Sequence, residues 1–123
     1  MALVALLLPL TACGGSTSNA RVILGESPRF TTAELKAAAE AVLADFRNLN
    51  GCSLAELTYD DASSVAQAAL DPTTDTVVFT AVFSVNASGG DGSLEPNSTQ
   101  HWTWTVQRAG QEARWQAVSR GAA

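Results

Sequence analysis

Leu35, Ala39, Val42, Phe46 and Leu49 recur at steps of four, three, four and three, the spacing that lines one side of an α-helix. The start of that helix is specified as well. Thr31 and Glu34 form a T-x-x-E capping box, with Thr31 at the N-cap and Glu34 at N3, and Phe30 and Leu35 occupy the two positions of a hydrophobic staple. Asn50-Gly51 supplies a left-handed stop. The pattern predicts a helix over 32–48 with one apolar face, and that face must be buried against another part of the chain.

A sheet is the expected partner. Over 76–86, Val77, Phe79, Ala81, Phe83 and Val85 share one face while Val78 and Val82 lie on the other; a strand apolar on both faces belongs in the middle of a sheet. A shorter strand over 54–59 shows imperfect alternation. Asp60-Asp61 can cap a small helix over 63–70, ended by Asp71-Pro72. Residues 98–108 form a further strand with Trp102, Trp104 and Val106 on one face, Ala109-Gly110 turns the chain, and 113–119 closes the sheet. Val22-Ile23-Leu24 reads as a stray edge strand. No segment repeats internally. The expectation is an α+β domain: one long helix packed on a curved antiparallel sheet of about four strands.

Composition narrows the function classes. A hydrophobic content of 46% excludes a disordered chain. The net charge of −5, with no basic run, makes a poor nucleic-acid binder. Two cysteines, Cys13 and Cys52, do not make a disulfide framework, and zinc, which takes several Cys or His ligands, has too few here.

The start of the chain bears on location. Residues 2–10 are almost wholly apolar, a length that suits a secretory signal and falls far short of the ~20 residues that span a bilayer. No Lys or Arg precedes the run. Leu10-Thr11-Ala12-Cys13 resembles the bacterial lipobox, which implies that the Cys13 thiol carries a diacylglyceryl group and that the signal is cut before it. The expected organisation is a signal peptide over 1–12, a flexible tether over 13–28 and a single α+β domain over 29–121. Gly14, Gly15, Ser16, Thr17, Ser18 and Asn19 read as the flexible part of the tether. Lipidation places the protein on the extracytoplasmic side of a bacterial envelope, with the membrane as its partner through palmitate-type acyl chains; several chains hold a protein stably where one does not. Cys52 is then left without an intrachain partner and reads as a small buried hydrophobe.

The run GCSLAELTYDD, the loop SGGDGSLEPNST, the strand HWTWTVQR and a final W-x-x-V-x-x-G resemble a family of small bacterial lipoproteins without an assigned activity. The resemblance covers most of 30–121 and implies a cystatin- or NTF2-like fold, with a helix cradled by a curved sheet. Ala122-Ala123 depart from the aromatic end expected of that family.

Candidate sites follow from the polar residues that the core does not absorb. The loop over 87–97 is long for a strand connection, and Asp91, Ser93, Glu95 and Asn97 place side-chain oxygens at alternate positions. Pro96 and Trp102 stand where an EF-hand needs Gly and a bidentate Glu, so turn chemistry explains the spacing and no metal is expected. Long loops on rigid scaffolds carry binding, and this one is a candidate binding loop. A second candidate is a pocket between helix and sheet, lined by Tyr59, Asp60, Trp102 and Trp104. His101, the one histidine, alternates with the tryptophans and points away from that pocket. No catalytic set and no cofactor is expected. The leading reading is a lipid-anchored, non-catalytic binding or interaction module with a protein partner in the envelope. The alternative is an NTF2-like small-molecule or enzymatic pocket, and an inhibitor acting through hairpin tips is a third reading.

Overall fold

The computed structural model describes residues 14–123; the expected signal peptide and the lipobox cysteine lie outside the described residues. In chain order the elements are β1 (Arg21–Ile23), α1 (Thr32–Phe46), β2 (Cys52–Tyr59), α2 (Asp61–Ala68), β3 (Asp75–Val85), β4 (Thr99–Arg108) and β5 (Gln116–Ala122). They form one five-stranded sheet in the order β1-β2-β3-β4-β5. The last three pairings are antiparallel, whereas β1 runs parallel to β2.

This corrects the expected architecture. The sheet is mixed and five-stranded rather than antiparallel and four-stranded, and two short helices accompany it, so the cystatin- or NTF2-like arrangement of one long helix on such a sheet does not describe it. The class remains α+β. The physical reason lies at the start: parallel neighbours require a crossover, and α1 is that crossover between β1 and β2. Register with Glu56, Leu57 and Thr58 makes Arg21–Ile23 an ordered edge strand.

The local signals that specify α1 act as written. Thr31 Oγ1 accepts from Glu34 N and Glu34 Oε1 accepts from Thr31 N, closing the capping box. The helix stops at Phe46, two residues earlier than its periodicity predicts. Asn48 N and Leu49 N bond three residues back, to Asp45 O and Phe46 O, a tighter turn that often ends helices, and Gly51 follows at φ 76°.

Two bulges explain where alternation misleads. Leu54 pairs with Phe83 and Glu56 with Val82, so Ala55 is an extra residue in β2; Cys52 and Leu54 before it and Leu57 and Tyr59 after it are then all buried. In β5, Val118 is extra between Ala117 and Ser119, and the strand begins three residues later than 113–119 predicts.

The core lies between α1 and the sheet. Leu35, Val42 and Phe46 of α1 pack with Leu57, Phe79, Phe83 and Trp104, all essentially without solvent exposure. Phe46 meets Phe83 edge-on at 5.3 Å between centroids and Trp104 at 6.0 Å. The second helix closes a different gap. Where β2 ends, Asp60 N donates to Val78 O, and the Ser64 hydroxyl accepts from Val78 N at 2.7 Å while donating to Asp60 O. A side chain thus replaces the strand that would otherwise pair with this part of β3.

The stretch expected to be a tether is placed against the domain in part. Gly15 N donates to Arg47 O, Ser16 N to Cys52 O, and Leu54 N to Ser16 O, each at 2.9–3.0 Å.

Candidate functional site

A groove of about 510 Å³ opens between the first half of α1 and the β4–β5 connection, within the range of roughly 300–1,000 Å³ typical of ligand sites. Ala33, Ala37 and Ala41, one helical face of small residues, line the α1 side, and Gln111, Ala113 and Trp115 line the other. Glu34, Glu40, Arg108 and Arg114 supply charge around it.

Arg108 organises this end of the molecule. It is 7% exposed, and its Nε donates to Asp75 Oδ2 at 2.7 Å while Nη2 donates to Glu34 Oε2 at 2.5 Å. The guanidinium lies 4.4 Å from the Trp115 ring centroid and 5.8 Å from that of Phe30, stacking that suits a planar, delocalised cation. Phe30 meets Trp115 edge-on at 5.7 Å. Burial by itself would lower the Arg108 pKa, but the bonds to Glu34 and Asp75 outweigh it and hold the group firmly charged. Glu34 is held below its ordinary value near 4.5, first by the Thr31 backbone N–H and then by Arg108. Trp115 Nε1 is buried with no hydrogen-bond partner, although buried polar groups are nearly always paired.

The loop candidates are ordered by their own bonds. Asp91 Oδ1 accepts from Ser93 N at 3.0 Å and from Ser93 Oγ at 2.6 Å, and the Ser93 hydroxyl bond lowers the Asp91 pKa most. Asn86 Oδ1 accepts from Ser88 N and Gly90 N. The backbone oxygen of Glu95 accepts from Ser98 Oγ, and Asn97 takes a left-handed φ of 57°. No cluster of metal-binding side chains occurs among the described residues. Leu94 folds inward to the core. Beneath the loop is a small hollow of about 100 Å³, reached by Cys52, Asp91, Leu94, Trp102 and Arg120. The Cys52 thiol is pushed up by burial and further by Asp91, which keeps it protonated and unreactive at neutral pH.

Tyr59, Asp60, Trp102 and Trp104 do not converge on one cavity. Trp104 is fully buried under Phe46, with Nε1 donating to Asp45 Oδ2 at 2.8 Å. Trp102 lies at the edge of the hollow beside the loop, its ring 5.2 Å from that of Phe83. The Tyr59 hydroxyl donates to Asp61 Oδ1 at 2.7 Å, and Asp60 caps α2 by accepting from Ser63 N and Ser63 Oγ. His101 is exposed and pairs with Val82 on the opposite face from Trp102.

Arg108 and Trp115 were not among the sequence candidates. Each sits in a quoted motif, HWTWTVQR and W-x-x-V-x-x-G, yet the Glu34 partner of Arg108 is 74 residues away, and no local pattern joins them. No family model, curated protein or solved structure matches the chain.

Proposed function

We propose that this chain is a lipid-anchored, extracytoplasmic binding module without catalysis, and that its ligand lies in the groove between α1 and the β4–β5 connection. The groove carries the reading: it combines a volume suited to a ligand with small residues on one wall, an aromatic wall opposite, and charges at its margin. A ligand with an apolar body would lie along Ala33, Ala37 and Trp115, and its polar end would meet Glu40 or Arg114.

The non-catalytic reading is supported by how the reactive side chains are used. Glu34 and Asp75 are both committed to Arg108, Cys52 is buried, and His101 lies on the exposed face of the sheet. The anchor is supported by the lipobox resemblance at Leu10-Thr11-Ala12-Cys13. In that resemblance a phospholipid transfers its diacylglyceryl group to Sγ of Cys13, the thiol proton leaves with the phosphate headgroup, and the Ala12–Cys13 peptide bond is hydrolysed. Among the described residues no helix is long and apolar enough to cross a membrane.

The test is capture from an envelope extract with the mature domain. Ala37→Arg places a long side chain in the groove at an exposed helical position, where Arg is a good helix former. The variant is expected to lose the captured ligand while Ser93→Ala, in the loop, keeps it. Full retention by Ala37→Arg would refute the groove as the binding site.

A further inference from the structure

We propose that Gly14 and Gly15 form a rigid clamp that holds the domain on the bilayer in one orientation, with the loop over 86–98 toward the lipid surface and the groove away from it. The proposal rests on the lipid anchor at Cys13 put forward above.

The Gly-Gly pair is a place of close approach. A Cβ added to Gly15 would run into the carbonyl oxygen of Phe46 and come within 2.9 Å of Leu49 O; one added to Gly14 would lie 2.9 Å from Arg47 O. All three are backbone atoms at the end of α1, which cannot swing aside as a flexible side chain can. Both glycines are half-buried. Gly15 N bonds to Arg47 O, and Ser16 continues the attachment by bonding to Cys52 and Leu54 on β2. The backbone is therefore fixed from Gly15 onward. Cys13 is covalently next to Gly14, so its Cα lies only about 3.8 Å from that of a residue already against the domain. A free Gly/Ser tether of six residues would instead wander over roughly 13 Å, at about 5–6 Å × √n.

The clamp also fixes which end is near the lipid. Gly14 and Gly15 meet the last turn of α1. Gly51 O at that same end accepts from Asn86 N, and a Cβ on Gly90 would lie 3.0 Å from Asn50 O, so the loop over 86–98 shares this end of the molecule. The groove opens toward the other end, where Ala33, Arg108 and Gln111 line it. The intervening strand β4 has 10 residues, which separates the two ends by roughly 30 Å at about 3.3 Å per residue. A ligand in the groove would meet the domain from the aqueous side, clear of the headgroups.

Energy transfer to a headgroup-labelled lipid tests this. The lipidated protein is reconstituted in phosphatidylcholine vesicles, which carry no net charge to repel Asp91 and Glu95, with a fluorophore on Ser88→Cys or on Gln111→Cys. Both positions are exposed, and the buried Cys52 thiol is not labelled. Given the roughly 30 Å between the ends, transfer from 88 is expected to exceed that from 111 about twofold. A Gly-Ser insertion of about ten residues between Cys13 and Gly14, adding roughly 17 Å of reach, is expected to remove the difference, and so is Gly15→Val. Protein that attaches to vesicles but transfers equally from both positions overturns the clamp alone. Protein that does not attach at all overturns the anchor, and the clamp with it.

Discussion

Glu34 closes the N-terminus of α1 with one carboxylate oxygen and holds Arg108 with the other: Oε1 accepts from Thr31 N at 2.9 Å and Oε2 from Arg108 Nη2. A local helix signal is thereby joined to the end of β4, and the same contact frames the groove.

Stability should therefore fall in acid, with Glu34 contributing alongside Asp71 and Asp91, whose carboxyls are also held below their ordinary values. The folded pKa of Glu34 is depressed below the ordinary value near 4.5, first by the Thr31 backbone bond and then by Arg108. The sign is that of any depressed carboxylate: the contribution is fully present above the ordinary value and is lost as pH falls through the lower, folded value. Thermal unfolding from pH 7 to pH 3 should show the midpoint falling below about pH 4.5, and Glu34→Gln should make that fall shallower. Equal slopes in the two proteins would show that Glu34 is not a linked group.

Ser64→Ala should destabilise the fold by about 1–3 kcal/mol, the cost of leaving the buried Val78 N–H without an acceptor. The hydroxyl is fully buried and bonds that N–H at 2.7 Å. Urea unfolding gives the magnitude, and amide exchange at Val78 should quicken more than at Phe79. A variant as stable as the parent would mean that another acceptor serves β3.

Trp104→Ala should cost roughly 3–5 kcal/mol, as large-to-small changes at fully buried aromatics do. Trp102→Ala should cost less, because Trp102 is only half-buried. Trp104 also donates to Asp45, whose Oδ2 accepts from Arg120 Nη1 at 2.7 Å. Chemical denaturation of both variants checks the order; a larger loss for Trp102 would place the core elsewhere.

Cys52 should resist alkylation by iodoacetamide at pH 7.5 in the folded domain and react promptly in denaturant, since burial first and Asp91 second push its thiol up. Asp91→Asn should leave that protection in place, because burial is the larger cause. Rapid labelling of the native protein would show that the loop opens over Cys52.

The parts of the fold readable from sequence are those set by neighbours along the chain. Thr31, Glu34 and the Leu35-to-Phe46 stripe determine a helix from signals that all lie between its N-cap and its last residue, and Asp60 caps α2 with its own neighbour Ser63. What the pattern could not reveal depends on distant partners. Three residues of β1 acquire their parallel register only through Glu56 to Thr58. The bulge at Ala55 blurs alternation in β2, and the extra Val118 together with the turn before it displaces the start of β5. Gly14 and Gly15 have the composition of a linker, but their packing against Phe46 and Arg47 is a tertiary fact. The groove was invisible for the same reason: Glu34 and Arg108 meet only once α1 lies across the sheet, and Trp115 takes its place beside them.

Photo-cross-linking on intact cells tests the central claim most directly. A benzophenone amino acid at Gln111, beside the groove, should cross-link the ligand or partner, and the same group at Ser93, in the loop, should yield none of that product. Cross-linking from Ser93 with none from Gln111 would contradict the account and return the binding site to the loop.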